Sequence, residues 1–571
     1  MPPYQRAYAW ETTKDRKQVC QFLDDLKEHP QAGGERKSYF LGHFLFEREQ
    51  TEGNEYFVID GQQRLTTVVI FFHCLSIELA IRKQAGEDLP IAIGGEVESD
   101  SLRQTYVMDA NQRRKLQTVD YDDDLMRSFI LHGTSHTQPK THSGLRLKEA
   151  MEYMAKRMHE EKSTAELIRW MELVNSAVVT TFEVRSKEQA TQIFAFQNDR
   201  GKDLTNLEKL KAYLMHVVYV HSPLTIQKES IRDLERKFSD IYRLTEEINS
   251  LKEDQVLAHH LIAFLPGGEN PVNVLKKELK SKDVGLKRVE WIRIFCTNLV
   301  QSFQSVTKIE TLKDGGTHHE RLIGDVLYLN APASWPLLLK LMHFHEHELS
   351  RLMPLLRLVE ITLFKLQFMK GKSTNKLPNI ANQYQSANLA ALEQELKNVS
   401  QRGFQHYWDF NGEFRRFLEG SDHYDNKIKY LLWKYENKRR AENRDPHLSL
   451  RQYENDVPGQ SLDASIDHVM PQNPEGRVHS EAFKKDYIHN LGNLVLMTKG
   501  RNSSLRNKMP IEKAADLRAT TYISQQDVAN TILDQKAWGE NEISSRKRLI
   551  VDFALQYWQV SSEAPAQTTQ P

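Results

Sequence analysis

The stretch Ile466-Asp-His-Val-Met-Pro-Gln-Asn473 is followed by Asn490-Leu-Gly-Asn-Leu-Val-Leu-Met497 and then by Arg501-Asn-Ser-Ser-Leu-Arg-Asn-Lys508. Asp467 and His468 fall in a short strand-like run, and Pro471 stops it because proline cannot continue a ladder. Leu494 to Met497 reads as a second short strand, and a helix is expected from about Asn502. The pattern predicts strand, loop, strand, helix: a ββα finger. It lies in a region, about 401–560, that opens with helices and crosses a polar loop (439–460) first. The tail, 561–571, is polar and is expected to be disordered.

Two further regions lie upstream. Residues 1–220 mix strand-like runs (Tyr39–Phe46, Tyr56–Ile59, Ala177–Val184) with helical stretches. Residues 221–400 are nearly all helical by 3.6-residue spacing, as in Leu337, Leu338, Leu341, Met342 and then Leu352, Leu355, Leu356, Val359; Pro336 suits the first turn of a helix starting there. The expected fold class is α+β, mostly helical, with several domains in 571 residues. Lys plus Arg equals Asp plus Glu at 77 each, so a nucleic-acid surface has to be a local patch. Three scattered cysteines, Cys20, Cys74 and Cys296, argue against a disulfide framework or a cysteine zinc site and suit a reducing cytoplasm. The longest apolar run, about Val68–Ala80, contains His73 and Glu78 and reads as too short for a bilayer, so no membrane partner is expected.

Phosphodiester hydrolysis needs a base to activate water, a divalent cation to stabilise charge on the phosphorane and leaving oxygen, and a scaffold that holds both near one phosphate. Neutral His468 suits the base; Asp467 and the Asn502 side-chain oxygen are hard ligands suited to Mg2+ or Mn2+. Asn493 can orient the imidazole or brace the finger, and Lys499, Arg501, Arg506 and Lys508 supply positive charge for DNA phosphates. An Asp-His pair alone is most often structural; the full constellation is not. It resembles the HNH (ββα-metal) nucleases, and most closely the C-terminal domain of GmrSD-type restriction enzymes. The resemblance implies Asp467 and Asn502 as metal ligands, His468 as catalytic base and Asn493 as part of the catalytic set, acting on double-stranded DNA with modified bases or backbone.

Tyr56-Phe-Val-Ile-Asp60 reads as a buried strand, Gly61-Gln-Gln-Arg64 as a turn, and Leu65-Thr-Thr-Val68 as the start of an apolar helix. A strand, a glycine turn and a helix N-terminus place N–H groups and the Thr66 and Thr67 hydroxyls where a phosphate could sit, with Arg64 adding bidentate contact. Alone this is more often structural. With Met1-Pro-Pro-Tyr-Gln-Arg-Ala-Tyr-Ala-Trp10 and Phe196-Gln-Asn-Asp-Arg-Gly-Lys-Asp-Leu-Thr205 it resembles the ParB- and sulfiredoxin-like N-terminal domain of the same family, associated with nucleotide binding and hydrolysis. The resemblance implies an NTP site from Tyr4, Gln5, Arg6, Asp60, Gly61, Gln62, Gln63, Arg64, Asn198, Arg200 and Lys202. The chain begins inside the first motif, so either the strand that precedes it in the family is missing or the start is misassigned.

Other patterns carry less. Gly371-Lys-Ser-Thr374 lacks the first P-loop glycine, since position 366 is leucine. His343, His345 and His347 lack metal-motif order and read as a solvated helix face, and Asp122–Asp124 reads as an acidic helix start. The helix around Lys427–Tyr435 buries Ile428, Leu431, Leu432 and Tyr435, and Lys427, Lys434, Lys438, Arg439 and Arg440 read as a solvated basic face or a DNA-backbone track. The reading is therefore a nucleotide-dependent DNA endonuclease of anti-phage restriction, with homo-oligomerisation left open. The alternative is a nucleotide-gated DNA-binding or regulatory protein with an inactive finger.

Overall fold

The structure is a computed structural model that describes residues 6–12, 18–29, 38–48, 55–87, 89, 98–184, 205–265, 275, 277, 279, 286–313, 315–368, 376–385, 388–404, 409–449, 464–474, 477–498, 502, 504, 505 and 507–560. It is mostly helical with small sheets, the α+β class. The chain divides into two compact units, Met1–Leu261 with Leu265–Thr307, and Ile262–Phe264 with Lys308–Pro571.

In the first unit, strands β1 (Phe40–Arg48), β2 (Tyr56–Asp60) and β3 (Val178–Val184) form one sheet in the order β2-β1-β3. β1 pairs antiparallel with β2 and parallel with β3. All three strands lie where the strand-like runs of the sequence predict them. Gly61 turns β2 into the Gln62–Gln84 helix at φ +89°, and a Cβ there would meet Phe44 Cδ1 at 2.5 Å. That helix has 23 residues and is apolar and long enough to cross a membrane by length and composition, unlike the shorter run read from sequence. Its apolarity has a local cause: Ile70, Phe71, Phe72, Leu75 and Leu79 are the core of the unit. Glu78 and Arg82 stay inside because they pair at 2.8 Å, with Arg82 also donating to Thr164 and the Met158 carbonyl. The acidic run opens the Asp120–His132 helix as expected; Asp123 holds Arg114, and Asp122 accepts from Thr141 and Ser143.

In the second unit the His318–His345 helix is kinked at Asn330, whose side chain caps the following segment through Ala333 N. The helix expected to start at Pro336 therefore restarts earlier, with Pro332 in its first turn and Pro336 inside. The Ile428–Asn443 helix buries Ile428, Leu431, Leu432 and Tyr435, but also Tyr430, Trp433, Lys434 and Glu436. The basic residues read as its face are all paired, and only Lys434 of them is buried. Lys434 forms a buried pair with Asp325, Arg439 pairs with Asp527 and Glu442, Lys438 with Glu442 and Arg440 with Glu436. His345 is buried against the Tyr384 hydroxyl at 3.0 Å and His343 packs edge-on to Phe264, so these two serve the core while His347 is exposed. The Gly371 segment lies outside the described residues.

Candidate functional site

Strands β4 (Ala464–His468) and β5 (Leu494–Thr498) pair antiparallel, with Asp467 opposite Val495 and His468 opposite Leu494. Beyond them Asn502, Ser504 and Leu505 are helical, so the order strand, loop, strand, helix is as predicted. Ser465 and Asp467 share one face of β4, being two residues apart. Asn502 joins that face by donating from Nδ2 to Ser465 Oγ at 2.9 Å, which leaves its oxygen as the opposite end of the amide. Asp467 is buried, and burial raises its carboxyl above the ordinary value although Lys513 opposes the shift. Lys513 donates to Asp467 Oδ2 at 3.0 Å and to the His468 carbonyl at 2.7 Å. Sequence reading missed this lysine, which arrives from the Pro510–Arg518 helix.

His468 is buried, and burial, then His489 and Lys513, lower its imidazole to about 3, so it is neutral at pH 7. Its Nε2 lies 3.1 Å from His489 Nδ1, and the Gln472 amide nitrogen lies 3.2 and 3.4 Å from its two ring nitrogens. Tyr424 stacks on His489 and sits 4.5 Å from the His468 ring centroid. Among the described residues no three His, Cys, Asp or Glu side chains converge as a metal cluster. The donor set on the β4 face is two oxygens, Asp467 and Asn502. That fits a hard cation that keeps most of its waters.

Asn493 is fully buried and fully committed. Its Nδ2 donates to the Met470 and Ile488 carbonyls, and its Oδ1 accepts from Met470 N and Trp538 Nε1. Three of the amide's four bonds go to the finger's loop and the fourth ties it to Trp538, which is the bracing arrangement of the two read from sequence. Around it, Arg546 Nη1 donates to the Leu491, Gly492 and Leu494 carbonyls, and His423 Nδ1 accepts from Leu491 N. Lys508 is exposed, whereas Lys499, Arg501 and Arg506 lie outside the described residues.

In the first unit the structure joins motifs that the sequence leaves apart. Gln63 receives Ala9 N at 2.7 Å and donates to the Ala7 carbonyl at 2.9 Å, and Gln62 donates to the Arg6 carbonyl at 3.1 Å. Arg6 is held above its ordinary pKa; burial works against this, and Glu253 and Glu208 outweigh it. Glu208 belongs to the capping box that starts the Asn206–His221 helix, directly after the third motif. Arg64 donates to the His43 carbonyl at 2.8 Å with its guanidinium over Phe44, and Asp60 ends β2 opposite Leu45. Thr66 and Thr67 are buried and donate back to the Gln62 and Gln63 carbonyls, so their hydroxyls do not face a ligand as the sequence suggested. Tyr4, Gln5, Asn198, Arg200 and Lys202 lie outside the described residues.

The family model for the GmrSD restriction endonuclease N-terminal domain matches residues 1–215, and that for the GmrSD restriction endonucleases C-terminal domain matches residues 408–553. No curated protein matches the chain. The first match contains all three N-terminal motifs, and the second contains the whole β4–β5 finger. With the two domain models in their order and well over half of the residues matched, the chain belongs to the GmrSD restriction endonuclease family.

Proposed function

We propose that the chain is a nucleotide-dependent, Mg2+- or Mn2+-dependent endonuclease that cuts modified double-stranded DNA through the β4–β5 finger. The observation that carries the nuclease reading is Asp467 and Asn502 on one face of β4, with the neutral imidazole of His468 next along the strand, at its end. In this reading Asp467 and Asn502 hold the cation, His468 takes the proton of the attacking water, and Asn493 keeps the loop between the strands in register. Bound there, a divalent cation supplies stabilisation of charge on the phosphorane and the leaving oxygen. Lys508, with Lys499, Arg501 and Arg506, binds flanking phosphates. The N-terminal unit binds and hydrolyses an NTP at the Asp60–Arg64 turn. Support for that comes from the strap formed by Gln62 and Gln63 on residues 6–9, which ties the first motif to the second.

The test is cleavage of supercoiled plasmid and of phage genomes with differently modified bases, with Mg2+ and each NTP. His468→Ala should cut on the order of 10²–10⁴-fold more slowly than wild type while binding DNA as well, the usual cost of a positioned base. Wild-type cutting by His468→Ala, or undiminished cutting in excess chelator, sinks the nuclease reading.

A further inference from the structure

We infer that His489 is a positioning residue for cleavage: it fixes the tautomer of His468. The inference rests on His468 being the base. A neutral imidazole has one N–H and one acceptor nitrogen, and only the acceptor can take a proton from water. His468 Nε2 and His489 Nδ1 are 3.1 Å apart, so one of the two must carry the hydrogen between them. If His489 donates, Nε2 of His468 is blocked as an acceptor and Nδ1 carries the other hydrogen, which leaves no basic nitrogen. If His468 donates from Nε2, its Nδ1 is the acceptor. The base role of His468 therefore requires the second arrangement, with His489 Nδ1 as the acceptor.

The surroundings hold the pair in place. Tyr424 lies nearly parallel to the His489 ring, at 18° and 5.5 Å between centroids, and also covers His468. The His489 carbonyl accepts from His423 N at 2.9 Å, which anchors the backbone that carries the ring. When Nδ1 of His468 receives the water proton, the resulting imidazolium keeps its Nε2 hydrogen on the His489 lone pair. The positive charge is thereby met by an acceptor already aligned with it. His489 touches neither the reacting atoms nor the metal ligands; it acts through His468.

The variants are His489→Ala and His489→Gln in the full chain, the glutamine side-chain oxygen being able to accept from His468 Nε2. Single-turnover cleavage of supercoiled plasmid with saturating Mn2+ should slow by about tenfold or more in His489→Ala, and His489→Gln should recover most of the rate, because a wrong tautomer removes the base without removing the scaffold. DNA and Mn2+ affinities should stay within about twofold of wild type in both variants. A second readout needs no cleavage: in protein with 15N-labelled histidine, His468 should carry its hydrogen on Nε2 in wild type and His489→Gln, and shift toward Nδ1 in His489→Ala. Wild-type cutting by His489→Ala, no recovery in His489→Gln, a His468 tautomer insensitive to both changes, or loss of Mn2+ affinity in step with rate overturns the inference. If His468→Ala also cuts at the wild-type rate, the base itself is misassigned and both readings fall together.

Discussion

At the scale of one residue, His423 shows how a side chain distant in sequence governs the finger. It is fully buried; Nε2 donates to the Phe417 carbonyl at 2.9 Å and Nδ1 accepts from Leu491 N at 3.1 Å. Only the neutral ring satisfies both, and burial followed by the nearby Lys547 lowers its pKa to about 4. Below its ordinary value of 6.5 the unfolded imidazole takes up a proton that the folded one refuses until pH nears 4. Stability from this group is therefore intact above that window and drains away as pH falls through it, by roughly 3 kcal/mol for a shift of this size. His73, His259 and His447 are shifted in the same direction, also to about 4, so the whole chain should be acid-sensitive. Urea denaturation at neutral pH and near pH 5 should show a smaller loss for His423→Gln than for wild type. Equal losses would mean that His423 is not the proton-linked group.

At the scale of elements, the finger is clamped to the Glu540–Tyr557 helix by a contact that leaves no room for a side chain at Gly492. A Cβ there would lie 1.9 Å from the Ile543 carbonyl oxygen and 2.9 Å from Lys547 N, both backbone atoms that cannot rotate away. Gly492→Ala should cost at least about 2 kcal/mol and lower cleavage, because separating the helix displaces the Asn493 loop. Thermal melting and plasmid cleavage of this variant check both effects, and an unchanged melting temperature would refute the clamp. The same elements show what could be read from the sequence. β1, β2 and β3 were legible because their aromatic and β-branched content is a local property, and Asp467, His468 and Asn493 because they lie within one short stretch. His423, Tyr424, Lys513 and Arg546 were not, because each reaches the finger from a helix or loop whose own pattern shows only amphipathic packing. Lys434 was misread for a related reason: a charge run does not reveal that its partner Asp325 lies buried on another helix, nor that Arg439 meets Asp527 from a third.

At the scale of the molecule, the two units each carry their own core, and the proposed NTP site and the proposed nuclease site fall in different ones. Control of one by the other requires the nucleotide to favour one state of the protein over another. Arg64 is placed for this test, since its donated bond to the His43 carbonyl leaves the fold's buried bonds untouched. Adding NTP should change the wild-type cleavage rate and leave Arg64→Ala at one rate with or without it, with NTP hydrolysis lost in the variant. An identical nucleotide response in both proteins would disconnect this turn from cutting. One feature of the second unit also bears on how the molecule meets a polyanion. Arg546 spends its charge on three carbonyls beneath the finger, and burial lowers its pKa only to about 10, so it stays ionised. In the proposed reading, surface lysines such as Lys508 gain affinity by shedding counter-ions from DNA, and that gain fades as salt rises. A cation sealed under the loop exchanges no ions with solvent, so Arg546 should serve the loop and leave the salt dependence of DNA binding unchanged.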